Sequence, residues 1–216
     1  MANRPIFIPQ TKIIGVQILN LDFTWHPGMA TSQKQKSIRS LHEKALDEDI
    51  VERVLEISTK SEIELGKKMS AFSLFIETKY GVFPLESVYH ASKIFPVVGA
   101  QKDWMKLSPR QSKKESQKFQ EMYGKPIGFC IDEIEYFGKP YKLGFTYMYF
   151  QALKSQPDEI NKLCLFDAFT DINYLPKRGG NCQAHAAALF VSAKQNGLQR
   201  PWEIELKNLE NHLKHN

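Results

Sequence analysis

Apolar residues at helical spacing recur along most of the chain, and only short strand-like runs fill the gaps between them. That alternation constrains the fold more than any other feature. Ile38, Leu41, Ala45 and Leu46 repeat behind Ser32 and Gln35, which read as a capping box, and this first helix is expected to run on through Ile50, Val51 and Val54. Leu85 to Phe95 reads as a helix after Pro84. Ser108-Pro109-Arg110-Gln111 is a strong helix start, with Ser at the cap and Pro at the first position, and it opens a basic helix bearing Lys113, Lys114 and Lys118. Phe145 to Ser155, Asp158 to Phe166 and Cys182 to Gln195 read as later helices, and Trp202, Leu206, Leu209 and Leu213 form a last apolar stripe. The strand candidates are Ile6 to Val16 (interrupted by Pro9), Leu55 to Ser58, and Ala71 to Ile76 returning through Val82-Phe83 after a turn at Tyr80-Gly81.

No repeat, low-complexity stretch or linker divides these elements. The expectation is one helix-rich α+β domain with a small sheet, in which residues 1–54 pack a strand, turn and helix onto a core of 55–216. With 216 residues, such a domain can bury a core without disulfides or metal. No apolar run approaches the roughly 18 residues that cross a bilayer. Met1-Ala2-Asn3-Arg4-Pro5 lacks the layout of a secretory signal, and Cys130, Cys164 and Cys182 are too scattered for a zinc site or disulfide framework. A cytoplasmic protein is expected. The net charge of +5 permits a polyanionic partner without demanding one.

Five segments can carry chemistry. On a helix from Leu85, the residues Leu85, Val88, Ala91 and Phe95 share a core face, while Glu86, His90 and Lys93 fall at i, i+4 and i+7 on a wedge flanked by Tyr89. An acid, an imidazole and an amine in one pocket would tune each other's proton affinity, as a general base and an amine nucleophile require. Spacing alone favours the alternative, a solvated face with a weak Glu–Lys pair. Pro176-Lys177-Arg178-Gly179-Gly180-Asn181, ahead of a helix, suits a phosphate or diphosphate and equally suits a plain capping turn; it is neither a Walker A loop nor a dinucleotide fingerprint. Phe23 and Trp25 could stack a base, although core roles are commoner. The lysines behind Ser108 could follow a nucleic-acid backbone or simply face water. Asp167 and Asp171 bracket Ala168-Phe169-Thr170 and offer a second carboxylate or a ribose ligand. His42, His212 and His215 have no metal-like spacing.

Together these positions resemble the NADAR (YbiA-like) family, whose name records an association with NAD and ADP-ribose chemistry. Leu55-Glu56-Ile57-Ser58-Thr59 followed by Met69-Ser70-Ala71-Phe72 resembles the family's strand and its Leu-Ser-Asn-Phe motif. Phe83-Pro84 with Glu86-x-x-Tyr89-x-x-x-Lys93 resembles aromatic-Pro leading into Glu-His-Tyr-Phe-Gln-x-x-Lys-Phe. Ser108-Pro109 matches the family's Ser-Pro segment, and Asp167-Ala168-Phe169 with Gly180-Asn181 resembles Asp-x-x-Trp-Gly…Gly-x-Asn. His90 stands where the family usually has Gln, Ala71 where it has Asn, Ile94 where Phe follows the lysine, and Thr170 where it has Trp. The likeness spans roughly Leu55 to Ala193. The block from Phe23 through Trp25, Pro27-Gly28-Met29-Ala30 and Ser32 to Ile38 resembles the branch of antitoxins found beside DarT-type toxins.

The resemblance implies an N-glycosidase that removes ADP-ribose from guanine bases of DNA or RNA, reversing the toxin's modification, with ADP-ribose as product and no cofactor or metal. It implies catalytic roles for Lys93, Glu86 and Asp167, with Asp171 as an alternative to Asp167. Ser58, Ser70 and Asn181 would hold the diphosphate or ribose, and Phe23 or Trp25 would pack on a base. Phe72, Tyr89, His90, Asp171 and Gly180 complete the substrate-binding set. Lys93 would form an imine with a ring-opened ribose while Glu86 shuttles protons; in the rival mechanism a carboxylate activates water and Lys93 assists electrostatically. Alternatives to the enzyme are a non-catalytic ADP-ribose reader, an antitoxin that grips its toxin directly, and a hydrolase of a free riboflavin-pathway nucleotide sugar.

Overall fold

The computed structural model describes residues 1–47, 51–175 and 182–214. The chain opens with a hairpin of β1 (Ala2–Pro9) and β2 (Val16–Phe23), paired antiparallel from Ala2↔Phe23 to Pro9↔Val16. The expected single run from Ile6 to Val16 therefore holds only the end of β1, the turn and the first residue of β2, because Pro9 ends the first arm, and the rest of β2 was not read as a strand. On its other edge β1 meets β9 (Ala168–Thr170) only at Phe7↔Phe169, away from the prolines that could not donate to a ladder. β3 (Val54–Glu56) pairs parallel with β9, matching Glu56 to Thr170, so the sheet order is β2-β1-β9-β3.

Helix α1 (Thr31–Asp47) covers one side of this sheet through Ile38, Leu41 and Ala45, which join Ile6, Leu21, Phe23 and Val54 in a small core. It starts earlier than expected: the Ala30 carbonyl accepts from the Gln33 and Lys34 amides, which places Ser32 inside the first turn and not at the cap. It also ends earlier, at Asp47, since Val54 belongs to β3; residues 48–50, including Ile50, lie outside the described residues. After the short α2 (Glu64–Lys68), Met69 to Ser73 form a turn in which the Ser70 carbonyl accepts from the Ser73 and Leu74 amides. The strand expected from Ala71 therefore begins only at Phe75, as β4 (Phe75–Thr78) pairing with β5 (Gly81–Pro84).

Helix α3 (Leu85–Ser92) leads into β6 (Lys93–Ile94), which pairs with β7 (Gly128–Ile131); β7 in turn pairs with β8 (Ile134–Phe137). The sequence reading missed β7, β8 and β9. Each is only three or four residues long, too short for alternation to stand out. Between β6 and β7 lies α4 (Pro109–Tyr123), with the capping box expected at Ser108 and Gln111.

Helices α5 (Tyr141–Leu153) and α7 (Gln183–Gln195) form the centre. Both are apolar around most of their circumference, as a helix enclosed by protein must be. In α7 ten successive residues from Ala184 to Ala193 are buried, and its alanines let neighbours approach closely. Phe150 of α5 meets Phe190 of α7 edge to face at 5.1 Å. Helices α6 (Pro157–Leu163) and α8 (Leu206–Lys214) close the outside, the latter along the predicted stripe through Leu206, Leu209 and Leu213. The architecture is α+β, as the sequence implied. Among the described residues, no helix is long and apolar enough to cross a membrane.

Candidate active site

The first turn of α3 is tied down by the preceding loop: the Leu85 amide donates to the Leu74 carbonyl at 2.8 Å and the Glu86 amide to the Ala71 carbonyl at 3.0 Å. All eight residues of α3 are buried, which overturns the solvated face that spacing alone favours. Glu86, only 4% exposed, sits in the first turn, where the helix dipole favours a negative charge. One turn on, His90 places Nε2 3.2 Å from Glu86 Oε1.

Lys93 does not lie on a helical wedge. The helix stops at Ser92, and Lys93 turns extended (φ −65°, ψ 126°) to pair with Phe129 in the β6–β7 ladder. Its side chain reaches back instead, setting Nζ 3.0 Å from His90 Nδ1 and 3.3 Å from Ser116 Oγ on α4, and 4.6 Å from the centre of the Tyr89 ring. An ionised Glu86 accepts the Nε2 proton of His90, so Nδ1 presents a lone pair to Lys93. Lys113 of α4 completes the group, with Nζ 3.8 Å from Glu86 Oε1 and 6.0 Å from the centre of the Phe72 ring.

Burial and neighbouring charge set the proton affinities. Burial pushes the Lys93 amine down to about 8; the nearby Lys113 pushes the same way and Glu86 opposes. Burial would raise the Glu86 carboxyl, but its bond to His90 and the charges of His90, Lys113 and Lys93 outweigh that and hold it below the ordinary value. Burial drives His90 down to about 4, so its imidazole is neutral. An acid that stays ionised, a neutral imidazole and an amine close to neutrality can pass a proton along one line.

A second set of polar groups stands beside this one, at the ends of β3 and β9. Asp171 follows β9, accepts from the Asn173 amide at 3.1 Å and from the Gln183 side chain, and is raised by burial and by Glu86. Gln183, in the first turn of α7, also accepts from the Ala71 amide at 2.9 Å and from Ser70 Oγ at 3.4 Å. Because the Ala71 carbonyl holds the Glu86 amide, Gln183 links Asp171 to the start of α3. Glu56, at the end of β3, accepts from Ser58 Oγ, Thr170 Oγ1 and the Ile172 amide.

A family model for the DarT1-associated NADAR antitoxin matches residues 2–212, nearly the whole chain and all of these groups. The chain belongs to this NADAR antitoxin family. No curated protein matches it.

Within this NADAR antitoxin, Lys93, Glu86, His90 and Tyr89 come together, with Phe72 under Lys113 at the rim and Ser70 joined through Gln183 to Asp171. Ser58 turns its hydroxyl inward to Glu56 at 2.7 Å. Asp167 stands apart, at the opposite end of β9 from Asp171, where it accepts from the Arg53 amide at 2.9 Å and the Glu52 amide at 3.2 Å. Phe23 belongs to the small core under α1, and the half-buried Trp25 has Lys34 4.4 Å and Arg4 5.4 Å from its ring centre. Gly180 and Asn181 lie outside the described residues.

Sequence reasoning missed Glu56, Gln183 and Ser116 as members, and weighed Lys113 only as part of a basic face. Only the family-like strand around Glu56 carried a signal, and it pointed to Ser58. A groove of about 980 Å³, lined by Tyr136, Tyr147, Lys154, Arg200 and Trp202 among others, contains no comparable acid–histidine–amine group among its lining residues.

Proposed function

We propose that this antitoxin is an N-glycosidase that removes ADP-ribose from guanine in nucleic acid in the cytoplasm, undoing the modification made by a DarT-type toxin. The observation that carries the reading is the Lys93 amine, half-buried and 3.0 Å from the lone pair of a neutral His90 that is itself bonded to Glu86. With its affinity lowered to about 8, Lys93 is far nearer to a free amine at neutral pH than an exposed lysine is.

In this reading the ribose ring opens as its O4 takes a proton and C1 becomes an iminium with the guanine amine. Lys93 Nζ attacks C1, and its proton passes to His90 Nδ1 while the Nε2 proton moves to Glu86. The C1–guanine bond then breaks as the departing amine takes the proton that Glu86 received, which leaves Glu86 ionised again and C1 as a protonated imine on Lys93. Water adds to that imine and passes a proton to Glu86, Lys93 takes that proton as it leaves, and the C1 hydroxyl gives up a proton in place of the one O4 took, releasing ADP-ribose. The sum is substrate plus water giving guanine and ADP-ribose. Asp171, tied through Gln183 to the start of α3, is the better placed of the two aspartates for a ribose hydroxyl or for an auxiliary carboxylate. Asp167 has no such link.

The test is incubation of the pure protein with a DNA strand carrying ADP-ribosylated guanine, with borohydride added during turnover. Release of unmodified guanine in the strand and a trapped adduct on Lys93 are expected. Retention of the intact modified strand on the protein, without release, would instead make it a reader.

A further inference from the structure

Behind the Lys93 group lies a chain of hydrogen bonds that the proposed reaction does not use. Glu56 is 1% exposed and its two oxygens take three donors: Ser58 Oγ at 2.7 Å on Oε1, Thr170 Oγ1 at 2.7 Å on Oε2, and the Ile172 amide at 3.0 and 3.2 Å across both. The hydroxyl of Thr170 is in turn 2.8 Å from His42 Nε2. His42 lines a cavity of about 170 Å³ beneath α1, whose wall also includes Glu56 and Ser61. α2 seals that corner, since a Cβ on Gly66 would fall 2.0 Å from the Glu56 carbonyl.

We propose that Glu56 is a positioning residue for Asp171, and that Thr170 and His42 carry its proton to and from the cavity beneath α1. The geometry permits two directions of the same chain. With Glu56 ionised, His42 Nε2–H donates to Thr170 and Thr170 donates to Oε2. With Glu56 protonated, Oε2–H donates to Thr170, Thr170 donates to the bare Nε2 of His42, and His42 carries its proton on Nδ1. Interconversion moves one proton from Glu56 to Thr170, one from Thr170 to Nε2, and one from Nδ1 to water in the cavity, so nothing is left over.

The charges around Glu56 support the exchange. Asp171 faces it from the loop after β9, and His42, Arg39 and Glu43 lie on α1. Glu62, from the loop before α2, is paired with Arg39 at 3.1 Å. No cation is hydrogen-bonded to Glu56 among the described residues. Burial first, and then the charge of Asp171, raise its carboxyl well above the ordinary range. Two neighbouring buried carboxylates hold one charge between them more readily than two, and a proton on Glu56 relieves that repulsion while its oxygens still accept from the Ile172 amide.

The functional half of this inference rests on the proposed reaction; the structural half does not. In the full chain labelled with ¹⁵N-histidine, two-bond correlation spectra between about pH 5 and pH 10 should show His42 passing from the Nδ1–H to the Nε2–H tautomer as pH rises. Thr170→Val and Glu56→Gln should each abolish the switch, and Thr170→Ser should retain it. A single tautomer throughout, or a switch that persists in Thr170→Val, overturns the relay. In turnover of ADP-ribosylated guanine DNA, His42→Ala should lose about tenfold in kcat with little change in KM, and added imidazole should restore it saturably. Full kcat in that variant, or a loss that imidazole does not touch, removes the catalytic part. A wild-type protein that switches tautomer but never releases guanine keeps the relay and refutes the proposed reaction; one that releases guanine with a fixed tautomer does the opposite.

Discussion

Among the described residues, Glu86 and Glu56 are buried carboxylates each bonded within a histidine-containing chain, and they answer burial in opposite ways. Glu86 sits in the first turn of a helix with His90, Lys113 and Lys93 around it, and its carboxyl is held below the ordinary value. Glu56 sits at a strand end, bonded only to hydroxyls and an amide and facing Asp171, and its carboxyl is driven up. Desolvation is the first cause at both, so depth in the protein does not separate them. The sign of the nearest charge does. One site rests with an anion beside an amine; the other keeps a proton in store.

The sharpest way to break this contrast is to remove the amine. Lys93→Met should abolish turnover, a loss of about 10⁴-fold or more if the amine is the nucleophile, while the melting temperature at pH 7 rises. The rise follows from the sign of the shift. The folded affinity of about 8 lies below the unfolded value, so folding disfavours the charged lysine at neutral pH, and that cost shrinks as pH rises from about 8 and is gone above the unfolded pKa. Guanine release and thermal melting of the same preparation check both halves. A variant that is inactive and also less stable would make Lys93 a structural residue.

Glu86→Gln tests the other end of the line. It keeps an acceptor for His90 but removes the charge, and turnover should fall about 10²- to 10³-fold while ADP-ribose still binds, measured by calorimetry. Normal turnover would reduce Glu86 to a helix-start residue.

The pH dependence refines the comparison without a mutation. The rate should climb with the fraction of neutral Lys93, with its midpoint near pH 8 and its plateau above that, and Lys113→Ala, which removes a neighbouring positive charge, should move that limb to higher pH by a few tenths of a unit. A limb that stays in place in Lys113→Ala would leave the second lysine without influence on the first.

How much of this could be read from the sequence follows from how local each contact is. Glu86 and His90 are four apart on a helix, and that spacing alone brought them together. Lys93 was selected for the wrong geometric reason: it was placed on a helical wedge, whereas pairing with Phe129 (far away in sequence) ends the helix and swings the amine back to His90. The fold class was legible because helical periodicity dominates the chain. The strands β7, β8 and β9 were not, since each is defined by partners and not by its own pattern. Glu56 was invisible as a site residue for the same cause. Its partner Thr170 is 114 residues away, and only the parallel pairing of β3 with β9 aligns the two.

The smallest expected effect belongs to the stored proton itself. A carboxyl raised in the folded state contributes stability that is complete below its unfolded affinity and is lost as pH rises through the folded one. Glu56→Gln replaces that acid with a neutral group that can still accept from the Ile172 amide and donate to Thr170. In acid the variant and the wild type should therefore melt alike. In alkali the wild type must either ionise Glu56 beside Asp171 or resist doing so at a cost, and the variant should melt higher by a few degrees, the scale of about 1 kcal/mol in a chain of this length. Melting curves taken across that range decide the matter: two parallel lines would mean that Glu56 binds its proton equally well in the folded and unfolded chains. A wild type that gains on the variant in alkali would mean that Asp171 is too remote to repel it, and the contrast with Glu86 would collapse.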